Sequence, residues 1–316
     1  MPVRYLGVPL ISTRLTASHC KPLVDSITAR ASSWTTRFLS FVGHLQLIKS
    51  VLCSIQSFWN GLFILPKKVI HQVEQILRRF LWKGSQLDPG GAKVAWEDLT
   101  FPLKEGELGI KKLAEWNVAT MGKHLWHLSH PLPSSTWAIW ARASLLRGRS
   151  LWDIPIPTNS SWTWRKILQL RSIYRPFIKY MVGNGRNIFL WFDNWLPSGP
   201  IHPSLGDRVI YDAGLSRTAS VAEITTGNSW RWPVANSPDL LVLKEETKNL
   251  HFFPSDSQDI IYWLPSTLGL FTTHSAWEHI RRTKRPVPWR HLVWFPGNIP
   301  RASFILWLAI KGRLGT

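Results

Sequence analysis

A chain of 316 residues with 45% hydrophobic content is long and apolar enough for two packed cores or more, which excludes a disordered tail. Its 38 Lys+Arg against 19 Asp+Glu give a formal net charge of +19, with a pI near 10.4. Such a balance points to a polyanionic partner, nucleic acid ahead of an anionic membrane surface, with a merely soluble basic protein as the plain alternative. Only Cys20 and Cys53 are present, which excludes a disulfide framework and a CxxC metal knuckle and fits a reducing, intracellular compartment.

The excess charge is not a tail. Residues 1–110 hold 13 Lys+Arg against 7 Asp+Glu, and residues 111–316 hold 25 against 12. Pro2, Arg4 and Pro9 interrupt the early apolar run, so no signal peptide is read, and residues 304–310 are too few to span a bilayer.

In chain order, MPVRYLGVPL predicts an extended segment broken at Gly7 and Pro9. A helix is expected from Ser18, with Leu23, Ile27, Ala31 and Trp34 on one side. Residues 40–82 carry the strongest periodicity. Phe41, Leu45, Ile48, Leu52, Ile55 and Trp59 are spaced four, three, four, three, four and predict one apolar stripe, with His44, Gln46, Lys49, Ser50, Ser54 and Gln56 facing out. Ser40 is placed to cap this helix, and Asn60-Gly61 to end it in a left-handed turn. Pro66 opens a second helix whose stripe is Val69, Val73, Ile76 and Phe80 and whose outer side holds Gln72, Gln75, Arg78 and Arg79. The expectation is a helical hairpin with a basic outer surface.

Pro102, Gly106 and Gly109 mark PLKEGELGI as a fixed loop. Leu113, Trp116, Met121, Leu125 and Leu128 predict a helix stopped at Pro131 and Pro133; Trp137, Trp140 and Leu145 predict another, and residues 162–170 a short one. Around Gly183-Asn184-Gly185 two β-leaning runs give the strongest hairpin signal in the chain. Residues 198–258, rich in Ser, Pro, Asn and Asp, read as a loose connector. From Asp259 the expectation is strand, turn, strand, then a helix capped by Thr273, and RASFILWLAIKGRL as a final amphipathic helix.

Catalytic signals are sparse. Two-metal nucleases and polymerases need carboxylates that hold ions roughly 4 Å apart, and the adjacent acidic pairs, Glu97-Asp98 and Glu245-Glu246, read as solvated surface. His124, His127 and His130 are spaced by threes but lack a Cys or carboxylate beside them, so a solvated helix face is favoured over a metal site. No GxSxG elbow or GxxxxGK loop occurs, and Gly183-Asn184-Gly185 reads as a turn rather than a phosphate cradle. Clustered cations on expected outer positions, Lys67-Lys68, Arg78-Arg79 with Lys83, Lys111-Lys112 and residues 281–285, together favour a surface that follows phosphates.

YLGVPL, the run W-(x)4-LS-(x)2-G-(x)2-QLIKSVL, LPK, FLWKG, VAW…PLKEGELGI, the Trp116-Asn117 pair, VGNGRNIFLWFDNW and the closing DIIYWLP…GLFTTHSAW…RASFILWLAIKGRLGT follow one another in an order that resembles plant non-LTR, LINE-type retrotransposon reverse transcriptases. The similar region of that family runs from the end of the palm through the thumb to the start of the zinc-binding domain. The resemblance implies a mainly α fold with small β-hairpins (α+β), a thumb-like helical hairpin followed by a mixed C-terminal region. It implies a thumb-like region at 1–110, a helical linker with a β-hairpin at 111–197, an irregular connector at 198–258, and at 259–316 a truncated zinc-binding domain without its Cys/His ligands.

The family's Tyr-x-Asp-Asp palm lies upstream of YLGVPL, so the expectation is a truncated, degenerate segment that is not an enzyme on its own, with no catalytic residue, no metal ligand and no cofactor. His44 stands where the family has Arg, and Glu107 where it has Gly. Residual activity would be sequence-tolerant binding of RNA or an RNA/DNA hybrid, with Lys49, Lys67, Lys68, Arg78, Arg79 and Lys83 as the expected phosphate contacts. No membrane partner is expected, and exposed apolar surface would favour self-association. The alternatives are a co-opted protein–protein interaction module and a remnant without function.

Overall fold

The computed structural model describes residues 3–34, 39–130, 135–227, 229–234, 237–248, 250 and 257–314. The expected stop at Pro131 and Pro133 lies outside them. In chain order the first elements are β1 (Arg4–Tyr5), β2 (Val8–Pro9), α1 (Lys21–Ser32), α2 (Phe41–Leu47), α3 (Cys53–Asn60), α4 (Lys67–Lys83), α5 (Trp96–Leu99) and α6 (Leu113–Ser129). There follow α7 (Thr136–Ala141), α8 (Trp162–Gln169), α9 (Arg171–Tyr174), β3 (Ile178–Met181), α10 (Ile201–Leu205), α11 (Arg208–Ala213), β4 (Thr225–Thr226) and β5 (Ser229–Trp230). The last are α12 (Pro238–Lys248), β6 (Ile260–Trp263), α13 (Thr273–Ile280), α14 (Arg290–Val293) and α15 (Pro300–Ile310). The fold is therefore mainly α, and its strands pair as β1–β2, β3–β6 and β4–β5, all antiparallel. Two compact units divide it: Met1–Met121, Ser161–Thr163 and Ile280–Thr316 form the first, Gly122–Ser160 and Trp164–His279 the second.

In the first unit the expected extended start is a tight hairpin. Leu6 and Gly7 both have positive φ, 49° and 83°, as a two-residue turn between right-twisted strands requires. Leu23, Ile27 and Ala31 of α1 are buried as expected, against Val69, Val73, Leu77 and Phe80 of α4 and Ile48 and Leu52. Ser40 caps α2 by accepting from the Gly43 N–H at 3.4 Å. Gly61 does end α3, but in a right-handed conformation with φ −77°, its N–H bonded to carbonyls of the last turn.

The helix phase needs one correction. His44 and Gln56, expected outside, are buried, and the inner positions run His44, Ile48, Leu52, Gln56, Asn60 at a constant spacing of four. In an unbroken α-helix the twelve residues from 44 to 56 would carry such a row about 120° round the axis. A π-helical turn at Ile48–Leu52 absorbs most of that drift, because its extra residue turns the downstream residues back by about 100°. His44 Nδ1 lies 3.1 Å from the Leu81 carbonyl, so this His ties the hairpin's two helices together.

Asn117 locks the connection between α3 and α4. Its Nδ2 donates to the carbonyls of Asn60 and Phe63 at 3.1 and 2.7 Å, and its Oδ1 accepts from the Leu65 N–H at 2.7 Å. The PLKEGELGI loop meets the C-terminal helices within the same unit. Arg281, expected on the surface, is buried and forks onto Glu105 at 3.0 and 2.6 Å, while the Lys284 N–H donates to the same carboxylate at 2.9 Å. Glu107 is also buried, with Lys311 Nζ at 2.5 Å and Lys284 Nζ at 3.5 Å, and Trp307 Nε1 donates to the Gly106 carbonyl. Burial raises the Glu107 pKa while Lys311 and Lys284 pull it down, so the charge introduced at this position is compensated.

The second unit departs further from expectation. The runs flanking Gly183 do not pair with each other: β3 pairs with β6, Ile178 opposite Trp263 and Met181 opposite Ile260. The glycine loop instead encloses the buried Asp259 carboxylate. The N–H groups of Gly183 and Gly185 donate to its Oδ1 at 2.9 and 2.8 Å, and that of Asn187 to its Oδ2 at 2.9 Å. A loop whose N–H groups converge makes an anion nest, and here the anion is supplied by the chain itself.

Residues 198–258, expected to be irregular, contain α10, α11, β4–β5 and α12. The second strand expected after β6 is not formed among the described residues; the chain turns at 266–269, where the Gly269 carbonyl accepts the Trp263 N–H at 2.8 Å. Thr272, not Thr273, caps α13, its Oγ1 accepting from the Ser275 N–H at 3.0 Å. On α7 the buried residues are Ala138 and Ala141, and Trp140 is exposed. Among the described residues no helix is long and apolar enough to cross a membrane.

Candidate nucleic-acid interface

The α4 sequence, KKVIHQVEQILRRFLWK, holds five cations and the single carboxylate Glu74. At 100° per residue Lys67, Lys68, Arg78, Arg79 and Lys83 fall within an arc of about 160°, and Val69, Val73, Leu77 and Phe80 fall on the other side, at roughly 200–280°. The burial agrees: those four apolar residues are sealed in the core, Lys67, Lys68, Arg78 and Lys83 are exposed and Arg79 is half-buried. Glu74, at about 340°, borders this arc and accepts the Leu113 N–H at 3.2 Å. Among the described residues none of the five cations is in an ion pair, so their charge is available to an external anion.

The cluster at 281–285 differs. Arg281 is paired with Glu105, Arg282 lies 3.8 Å from Glu115, and Lys284 contacts Asp98 at 2.6 Å and lies over the Phe101 ring. These cations hold the unit together and are removed from the expected phosphate-binding surface.

Lys49 stands apart from the α4 arc. It projects from the π-helical turn into a cleft of about 360 Å³ that it shares with Cys53, Gln56, Gly109, Lys111 and Trp116. Lys111 Nζ sits 3.4 Å from the centre of the Trp116 ring, in cation–π geometry. Gly109 lies in the cleft wall at φ +67°, a backbone conformation that favours glycine. Crowding by the cleft walls desolvates both ammonium groups and draws them below the ordinary lysine range, an effect weakened at Lys49 by its exposure. The Cys53 thiol is pushed up to about 11 by burial, against the pull of Lys111 and Lys49, which makes it a poor nucleophile. Gln56 is 3% exposed, and its Oε1 has no hydrogen-bond partner.

The expected contact residues thus separate into five that share the outer side of α4 and one, Lys49, in a cleft none of the five lines. Lys111 was among the cations expected to follow phosphates, whereas Gln56, Trp116 and Asn117 were missed as site or framework residues. The Trp116-Asn117 motif carried a signal for the last two, whereas Gln56 carried none, because its position depends on the π-helical turn.

The acidic pairs are engaged elsewhere: Asp98 meets Lys284, and Glu246 accepts from the N–H and hydroxyl of Ser198. Among the described residues no group of three or more His, Cys, Asp or Glu is placed to hold a metal ion.

Residues 271–316 match the family described as zinc-binding in reverse transcriptase. A structural zinc site takes four thiolate or imidazole ligands. The matched span offers His274, His279 and His291 and no Cys, so its residues do not fit a zinc site. The chain is 26% identical over 315 residues to At1g65750 of Arabidopsis thaliana, a protein provisionally named as a ribonuclease H, covering 95% of this chain and 49% of that protein. It is 23% identical over 135 residues to the uncharacterized mitochondrial protein AtMg00310 of the same plant, covering 42% of this chain and 87% of that protein. The chain thus spans about half the length of the first of these relatives. The family match at the C-terminal end and the kinship with these plant proteins agree with the motif order read along the sequence, and the chain is reverse-transcriptase-related.

Proposed function

We propose that this chain is a nucleic-acid-binding segment of a retroelement-derived protein, that it follows the phosphates of an RNA/DNA hybrid with the outer side of α4, and that it does not synthesise DNA on its own. The observation that carries the reading is the set of five cations on α4 without an ion pair among the described residues, set against the internal pairing of Arg281, Arg282 and Lys284. From Lys67 to Lys83 the helix rises about 24 Å, the length of roughly seven phosphates along one strand of a B-form duplex. In the terms of the family resemblance, α4 would belong to the thumb-like region at 1–110.

The test is hybrid binding as a function of salt. If all five cations meet phosphates, log K falls against log salt with a slope of about −4 to −5. Replacing Arg78 and Arg79 together by Gln should leave the fold unchanged and lower the magnitude of that slope by about 2. An unchanged slope and affinity would remove α4 from the contact surface.

A second reading, an interaction module, is favoured by the exposed apolar pair Ile139 and Trp140 on α7, 53% and 54% accessible. A defined oligomer in the wild type that ignores nucleic acid and is lost on Trp140→Ser would replace the first reading by this one.

A further inference from the structure

We infer that the cleft between the π-helical turn and the Gly109–Trp116 segment binds one unpaired nucleoside phosphate, with the phosphate on Lys49 and Lys111, the base on Trp116 and a base N–H donated to Gln56 Oε1. Three independent features converge. The volume, about 360 Å³, falls in the range of small-ligand pockets and suits a single nucleotide rather than a duplex. The two ammonium groups on its rim and the indole within it are the pairing used for single-stranded nucleic acid, where phosphates meet cations and bases stack on flat rings. A carboxamide oxygen buried without a partner costs stability. A donor from a bound base satisfies it.

The π-helical turn produces this arrangement. By setting the helix back by about 100°, it brings Gln56 inward while Lys49, within the turn itself, projects from the wall of the same cleft. In the unliganded protein Lys111 covers the Trp116 ring; on binding it would exchange the ring face for the phosphate and release that face for stacking.

The proposal goes beyond binding by α4, since none of the α4 cations lines the cleft. The shared chemistry, a nucleoside phosphate, has two sources: a free mononucleotide or the unpaired end of a strand.

Titration of the full chain with AMP, with inorganic phosphate, and with RNA/DNA hybrids that are blunt or carry one unpaired 3′ adenosine separates them. AMP affinity at least tenfold above that of inorganic phosphate supports the site with a free nucleotide as ligand. A preference for the overhang that exceeds the blunt hybrid by a similar factor supports it with a strand end. In either case Lys111→Gln and Gln56→Leu should each reduce the effect severalfold, Trp116→Leu by about tenfold, and Trp116→Phe should restore most of it. Arg78→Gln with Arg79→Gln should leave AMP binding unchanged, so failure of the α4 reading is visible separately. Equal binding of AMP and phosphate, or no AMP binding together with no overhang preference, overturns the inference even where hybrid binding through α4 persists.

Discussion

Asp193→Asn should abolish a pH-dependent weakness in the second unit. Asp193 is 3% exposed, and its Oδ2 accepts from the Phe189 N–H at 2.8 Å. Burial raises its pKa from an ordinary 3.8 to about 7; the Phe189 bond, Arg175 and Arg142 work against that rise, and Asp259 adds to it. A carboxyl that holds its proton more tightly folded than unfolded makes the folded state less stable as pH rises. Its contribution is fully favourable below pH 4, is lost between about pH 4 and 7, and is flat above. The span from 3.8 to about 7 corresponds to a loss of about 4 kcal/mol.

The Asn variant keeps an oxygen for the Phe189 N–H and has no charge to desolvate. Hydrogen exchange of peptides covering residues 178–196, corrected for intrinsic rates at pH 5, 6.5 and 8, reads this locally. That choice matters because two units rule out a single unfolding free energy for the chain. Protection in the wild type should fall about a hundredfold relative to the variant between pH 5 and 8, since about two of the titrating pH units lie in that range. Equal pH dependence in the two proteins, or a variant less protected than wild type at pH 8, would refute the reasoning.

Leu52→Asp places a charge at a fully buried position of the hairpin seam and should cost several kcal/mol, enough to remove cooperative melting of the first unit by circular dichroism; a cooperative transition near the wild-type temperature would show the helix phase to be wrong. Gly183→Ala should open the Asp259 nest, because a Cβ there would lie 2.5 Å from the backbone oxygens of Ser257 and Gln258, which cannot swing aside as a side chain would. Faster exchange at residues 183–187 is the expected result, and unchanged protection would show that the loop absorbs the methyl group.

The helices of the first unit were legible because their periodicity reports burial directly. Leu23, Ile27 and Ala31, and Val69, Val73 and Phe80, repeat at helical spacing and are buried as read. What failed there failed at one point. The apolar stripe from Phe41 to Trp59 fits an ideal helix, but the row that is buried, His44 to Asn60 at intervals of four, fits a helix with one wide turn, and no residue type marks where a π turn will form. The second unit was less legible because its pairings are long-range. Gly183-Asn184-Gly185 has the composition of a hairpin turn, yet the partner that decides its conformation is Asp259, more than seventy residues away. Local propensity cannot see a carboxylate that far along the chain.

The same argument applies to charge, and it decides which part of the surface carries function. Composition supplied a net charge of +19 and no means of ranking its cations. Arg78-Arg79 and Arg281-Arg282 look alike in sequence; the fold separates them by placing Glu105 and Glu115 against the second pair and no carboxylate against the first. A basic cluster takes on a phosphate-binding role only when the folded chain has left it without an internal anion. By that criterion the outer side of α4 qualifies, whereas Lys284 and Lys311, already engaged by Asp98 and Glu107, do not.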